Sequence, residues 1–436
     1  MSAERDPSHR TAVLACMVVA GTLAACVLGV CLAGVLVFYT ARRGTARREA
    51  ERARAAAKRD AERARAARLH EERAVAFARE IEEALAAGDG SFMDKRFDAA
   101  VLSQRMLGGR GLPPETLTAN RRSLARAMAI GEGIAGAVKQ GGSYKFLRFH
   151  RHGDQPRVLF RLLLPNGGAN YHDMVLTSRG GKPLIADIHV SITGEFLSDS
   201  MRRSALPVLV RQQRSVLSKL LRSESEYVKN IHTVDAIVKE RDPDRVLALY
   251  RRLPPTVQRD KNVMVFRLKA AVAKGGDSPE YVKVLADFKA FFPGDPCLDF
   301  VLVDHYMLQE EYAKSRACVD RMQNAIGEDA HLHFLRGGLY HLEQKDELAI
   351  AEYEKAIALE PDLSAPYDGL LTIALENSDW AAVSKRLAQF ETNTGIRLDN
   401  LDALPEYAEY LKTEECKAWK ASRRPTAPTA PSTERP

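Results

Sequence analysis

The stretch Ala330–Leu363, AHLHFLRGGLYHLEQKDELAIAEYEKAIALEPDL, is the best copy of a unit that recurs along the second half of this chain. Pro293, Gly327, Pro361 and Gly395 fall 34 residues apart, and each is a helix breaker that follows a helix-like stretch. Phe266, Phe300 and Phe334 keep the same spacing, Leu268 and Leu302 fit the register, and Leu370 stands three periods after Leu268. A 34-residue period is that of a helix–turn–helix unit, which cannot bury its apolar face alone and must stack on its neighbours.

Within Ala330–Leu363, the residues Gly337, Tyr340, Ala349, Tyr353, Ala356 and Pro361 resemble, in order, the small, aromatic, small, aromatic, small and proline positions of the tetratricopeptide (TPR) family. The flanking copies are degenerate. Ser315 and Val319 stand at the small and aromatic positions of Pro296–Asp329, and Val383 and Leu387 at those of Ser364–Leu398. Asn262–Asp295 keeps Phe288 and Pro293, and Asp242–Pro255 reads as the second helix of a further unit. Four to five hairpins are expected between about residues 206 and 419. The resemblance implies a superhelical array with a groove for a protein or peptide partner. It places Phe266, Phe300 and Phe334 as a ladder on successive first helices, either lining that groove or packed between neighbouring helices. The Lys/Asn set with which some family members clamp a terminal carboxylate is missing from the groove positions, which argues against a chaperone-tail receptor.

Upstream, residues 75–203 read as an α+β unit. Phe77, Ile81 and Leu85 give one helix, and a second is expected over Pro114–Lys139. Four alternating strand candidates follow: Tyr144–Arg151, Arg157–Leu164, Asn170–Ser178 and Pro183–Thr193. They are joined by Gly153-Asp154, Asn166-Gly167-Gly168 and Arg179-Gly180-Gly181, the signals of hairpins. A helix is expected to start near Glu195. This order, and the segment Ala84–Asp98, resemble the nuclear-transport-factor-2-like superfamily, which implies a cone-like fold of helices on a four-stranded antiparallel sheet. The superfamily includes enzymes that use Asp and His inside the cone, so Tyr171, His172, Asp173, Asp187 and His189 are the candidates. Asp187 and His189 lie two apart and share a strand face, where a carboxylate could orient an imidazole. The opposite face, Ala186, Ile188, Val190 and Ile192, reads as core, so the Asp187/His189 face equally reads as the solvated one. A metal site from His172, Asp173 and His189 has no fixed ligand spacing behind it. No metal and no cofactor is expected, and the unit is not read as an enzyme.

The N-terminal end differs from all of this. Residues 12–39 contain no charge. A helix of that length, at 1.5 Å per residue, exceeds the ~30 Å hydrocarbon core of a bilayer. The expectation is a single-pass transmembrane helix after a short tail, 1–11. Gly21, Ala25, Gly29 and Ala33 form a small-residue stripe that would let two copies pair as a homodimer. Eight Lys/Arg from Arg42 to Arg59 against Arg5 and Arg10 before the run place the body on the cytoplasmic side. Leu23-Ala24-Ala25-Cys26 resembles a bacterial lipobox, which implies instead a lipoprotein or another cell-envelope factor with an exported body.

Charge is local too. The chain carries +7 net, and residues 41–73 hold twelve Arg/Lys against six Asp/Glu. Residues 40–74 read as a basic helical stalk, suited to anionic headgroups. Without interleaved aromatics to stack bases, they do not suit nucleic acid. The six cysteines form no CxxC pair. Residues 420–436, rich in Pro and Thr, read as a disordered tail. The reading of the whole is a membrane-anchored adaptor that recruits a protein partner through a repeat groove. The alternative is a small-molecule-binding or enzymatic cone domain regulated or oligomerised by the repeats.

Overall fold

A computed structural model describes residues 56–61, 65, 67–107, 118, 122, 128–165, 167–202, 225–275 and 278–423. The chain divides into two units, Met1–Arg73 and Ala74–Pro436. In the first, the described residues are helical and all exposed. The second holds the sheet and the repeats.

The second unit opens with helix α1 (74–86), followed by α2 (Gly90–Asp94), α3 (Ala99–Leu107) and α4 (Ile130–Lys139). A five-stranded antiparallel meander comes next: β1 (Ser143–His152), β2 (Gln155–Leu163), β3 (Ala169–Arg179), β4 (Lys182–Val190) and β5 (Glu195–Phe196). Successive side chains on a strand point to opposite faces. On β2, Val158, Phe160 and Leu162 therefore meet Phe77, Ile81 and Leu85 of α1 and Ile134 of α4 in one core. Arg157, Leu159 and Arg161 turn to the other side. Each large apolar side chain buried this way stabilises the fold by about 1.5–3 kcal/mol relative to exposure. β5 replaces the start of the expected helix near Glu195, and helical residues 197–202 follow it.

Helical hairpins make up the rest. They are α5 (Ser225–Lys229), then α6 (Ile231–Lys239) with α7 (Pro243–Arg251), the short α8 (Pro255–Gln258), and α9 (Lys261–Val272) with α10 (Pro279–Phe291). Three more pairs follow: α11 (Cys297–Leu308) with α12 (Tyr312–Ile326), α13 (Ala330–Leu342) with α14 (Asp346–Leu359), and α15 (Ala365–Glu376) with α16 (Trp380–Thr394). The periodic residues meet for a steric reason. A Cβ on Gly337 would lie 2.6 Å from the Tyr353 ring, and one on Gly369 of the next unit 2.4 Å from it. The Tyr353 ring is thus clamped between two glycines, one in each of two neighbouring first helices. Ala349 and Ala356 are fully buried beside it, and the carbonyl of Pro361 accepts a hydrogen bond from the Tyr367 hydroxyl at 2.9 Å. Tyr340 lies under the Arg316 guanidinium, 4.7 Å from the ring centre. Past α16, three 3-10 turns between Leu401 and Lys412 and a last helix, α17 (Glu414–Ser422), cover the final hairpin with Leu401, Tyr407, Tyr410 and Trp419.

Two expectations are corrected. Among the described residues no helix is long and apolar enough to cross a membrane. The repeat helices have at most 15 residues, and the longer helical stretch 67–86 is interrupted by Arg68, Glu71, Glu72, Arg73, Arg79, Glu80, Glu82 and Glu83. A single-pass membrane architecture and localisation are therefore withdrawn. Residues 12–39, with the pairing face Gly21, Ala25, Gly29 and Ala33, lie outside the described residues. The second correction concerns the cone. Its ligand space would lie against the inner sheet face, and that face is filled by Ile81, Leu85, Met93, Val158, Phe160, Met174 and Ile188, all buried.

Candidate functional site

The first helices of the array have two ends with different environments. At their N-terminal ends the sheet docks. Arg161 of β2 is completely buried. It donates from Nη1 to Asp329 Oδ1 at 2.6 Å and from Nη2 to Glu360 Oε1 at 2.7 Å. The Tyr171 hydroxyl of β3 donates to the other Asp329 oxygen at 2.7 Å. Asp329 holds the N-cap position of α13 but makes no side-chain cap bond there, because both of its oxygens serve the sheet. Burial works against the Arg161 charge, but Asp329 and Glu360 outweigh it and raise its pKa. Burial and the Asp329 carboxylate push the Tyr171 phenol well up, so it stays a donor.

The same rim carries further contacts. Lys145 reaches Asp362 at 3.1 Å, and Arg148 donates to the Glu328 carbonyl at 3.2 Å. Leu163 packs on Ala330, Ala356 and Leu363. Lys261, at the start of α9, pairs with Asp295, one period before Asp329. A cleft of about 270 Å³ runs along this seam, between β1 and the loops around Asp329 and Glu360.

The phenylalanine ladder divides between sheet and repeats. Phe300 packs at a tilt against Tyr171 of the sheet, ring centres 5.8 Å apart. Phe334 lies 6.1 Å from Tyr353 and 5.8 Å from His331. Phe266 packs at the edge of the core formed by α6, α7 and α9. All three are half-buried, so they serve packing first.

At the other ends the picture changes. α9, α11 and α13 finish on Val272, Leu308 and Leu342, and all three side chains are exposed, Leu308 at 59%. Counting back by one helical turn, 308, 304 and 300 share a stripe on α11, and 342, 338 and 334 share the equivalent one on α13. These stripes begin under the sheet or in the core and end in solvent. The phenylalanine spacing alone does not reveal the exposed leucines; Leu308 and Leu342 stand eight residues after Phe300 and Phe334.

The candidate catalytic groups do not converge. Asp187 is fully buried and bound to Ser198, accepting from Oγ at 2.6 Å and from the amide at 3.1 Å. His189 turns to the Phe196 ring instead, centres 5.3 Å apart. His172 lies between the Tyr144 hydroxyl at 3.2 Å and Asn170 at 3.1 Å, and burial pushes its pKa down to about 4. For Asp173 burial works upward, but His150 at 2.8 Å and Arg157 at 2.7 Å outweigh it and hold the carboxyl below its usual range. Among the described residues no group of His, Cys, Asp and Glu could hold a metal ion.

No protein-family model matches the chain, and no curated protein matches it. Among solved structures the chain is similar to a thermophilic TPR protein in Thermus thermophilus. Identity is 18%, the match covers 39% of this chain and 90% of that one, and the TM-score is 0.30. So loose a superposition carries no argument, and the repeat architecture rests on the hairpins themselves. The nuclear-transport-factor-2-like resemblance finds no support in these comparisons.

Proposed function

We propose that the chain is a protein-interaction scaffold, whose helical repeats bind a protein or peptide partner on the open face of their first helices. It acts as a binding protein and not as an enzyme. One observation carries this reading: Leu308 and Leu342, one period apart, end successive first helices and are both exposed, on the side the sheet leaves free. An apolar repeat pattern turned to solvent is what an anchoring surface for another chain requires. The sheet is a structural part of the same scaffold. It closes the N-terminal rim.

Crosslinked pull-down with the full chain tests the reading. The double variant Leu308→Glu/Leu342→Glu is compared with wild type and with Leu348→Glu, an equally exposed leucine on α14. The expected result is loss of partner recovery in the double variant alone. Equal recovery in all three would remove this face as the binding surface. Phe300 and Phe334 are unsuited to the test, because their rings support the core.

A further inference from the structure

We propose that a peptide main chain crosses the array over Gly338, with one of its carbonyl oxygens accepting a hydrogen bond from the Tyr353 hydroxyl. This rests on the preceding reading of the open face, and it places the ligand's backbone on that face.

Tyr353 of α14 reaches between two first helices. Its ring lies between Gly337 of α13 and Gly369 of α15, and its hydroxyl emerges beside Gly338. A Cβ on Gly369 would stand 2.8 Å from the oxygen, and one on Gly338 3.7 Å from it with nothing else within 4 Å. The residue is only 3% exposed. Among the described residues the hydroxyl has no hydrogen-bond partner. Side-chain atoms that are both sealed and unpartnered lie elsewhere, such as Arg161 Nε and Trp419 Nε1, so solvent reaches the Tyr353 oxygen. Burial, with Asp346 adding to it, pushes the phenol up to about 12, so the group stays a donor.

Packing alone does not need this oxygen. The equivalent positions of the other hairpins hold Leu285, Val319 and Leu387, all buried and all apolar. The positions equivalent to Gly338 hold Ala270, Asp304 and Thr372, so of the four only Gly338 lacks a side chain. Thr372 does not compete for the Tyr353 oxygen, because its own hydroxyl donates to the carbonyl of Asp368 at 2.9 Å. Glycine is the residue that lets a ligand's backbone approach this closely. Asp368 and Glu376, both exposed on α15, repel a carboxylate and leave a neutral carbonyl as the fitting acceptor.

The opening lies on the free side of the array. Gly338 is eight residues past Ala330, where the sheet docks, and four before Leu342. At 1.5 Å per residue that is about 12 Å from the closed end and about 6 Å from the exposed leucine. Leu308 stands one helix further, about 8–10 Å away by ordinary helix packing. A segment of about five extended residues therefore runs from the Tyr353 hydroxyl past Leu342 to Leu308.

The test is a peptide-display selection on the full chain, counter-screened with Leu308→Glu/Leu342→Glu. Leucine-dependent peptides are then measured against Tyr353→Phe, which keeps the clamped ring and removes one oxygen, and against Gly338→Ala. Each variant is expected to weaken binding about three- to tenfold. Neither should melt below wild type, since the hydroxyl has no protein bond to lose and alanine favours the helix over glycine. Ester scanning of the strongest peptide then locates the acceptor. One amide-to-ester change should weaken binding to wild type more than binding to Tyr353→Phe, because an ester carbonyl accepts poorly. Unchanged binding in both variants, or coupling of Tyr353 to a peptide side chain and to no ester position, refutes the main-chain contact while the binding face stands. If no peptide depends on the leucines, the face itself fails, and this contact with it.

Discussion

The two ends of the first helices are built from one repeat, yet they are treated in opposite ways. At the N-terminal rim, Asp329 and Glu360 are covered by a sheet that supplies Arg161 and Tyr171 in exchange. At the other ends, Leu308 and Leu342 have no cover. A repeat surface does not announce its own role. Its acidic residues are structural at the rim, where the sheet brings Arg161 and Tyr171 to them, while the opposite ends leave leucines exposed.

Arg161→Leu strikes the closed rim hardest. It leaves Asp329 buried and uncompensated, and an unmatched buried charge costs about 3–5 kcal/mol. The midpoint of urea unfolding should fall accordingly. Adding Asp329→Asn should recover part of the loss, and a rim that tolerated Arg161→Leu without penalty would erase the contrast between the two ends.

A medium effect is expected from acid. Burial and the nearby Arg161 charge push the His331 pKa down to about 4, and burial alone does the same for His172. A histidine with an unfolded pKa near 6.5 then takes up its proton more readily when the chain is unfolded. The stability it contributes is full above about pH 6.5 and is lost as the pH falls toward 4. The raised pKa values of Asp304 and Asp368 act in the opposite sense, since the folded state there favours the proton. Unfolding followed at pH 7.5, 6 and 5 should show falling stability in wild type and a flatter profile in His331→Gln.

The smallest effect belongs to the open ends. Leu308→Glu/Leu342→Glu should change stability by no more than about 0.5 kcal/mol, as surface substitutions do. A large loss in thermal melting would mean that those leucines are covered after all.

Much of the architecture was legible beforehand because it is periodic. Breakers at Pro293, Gly327, Pro361 and Gly395 mark hairpin boundaries, and the second helices of the last four pairs start at Pro279, Tyr312, Asp346 and Trp380, 33 or 34 residues apart. The four long strands were legible from alternation and from their glycine turns. What misled was local. A β-bulge at Ala186 of β4, opposite the Val175–Leu176 step of β3, leaves Ala186 without a pairing partner and breaks the alternation on which the Asp187/His189 face is read. Ile185 and Ile188 both point to one core, and Asp187 is sealed against Ser198 instead of meeting water. Gly369, the second jaw of the Tyr353 clamp, was invisible because it contacts a ring in a neighbouring unit.

By itself, then, the sequence determined what neighbours along the chain determine: helix lengths, breakers, turns and the 34-residue stacking of small and aromatic residues. Which end of those helices would be closed was decided only in three dimensions. Arg161 and Asp329 are 168 residues apart, and nothing in their spacing couples them. Their attraction becomes decisive only when sheet and array exclude water from both, and the face left without that exclusion is the one free to receive a partner.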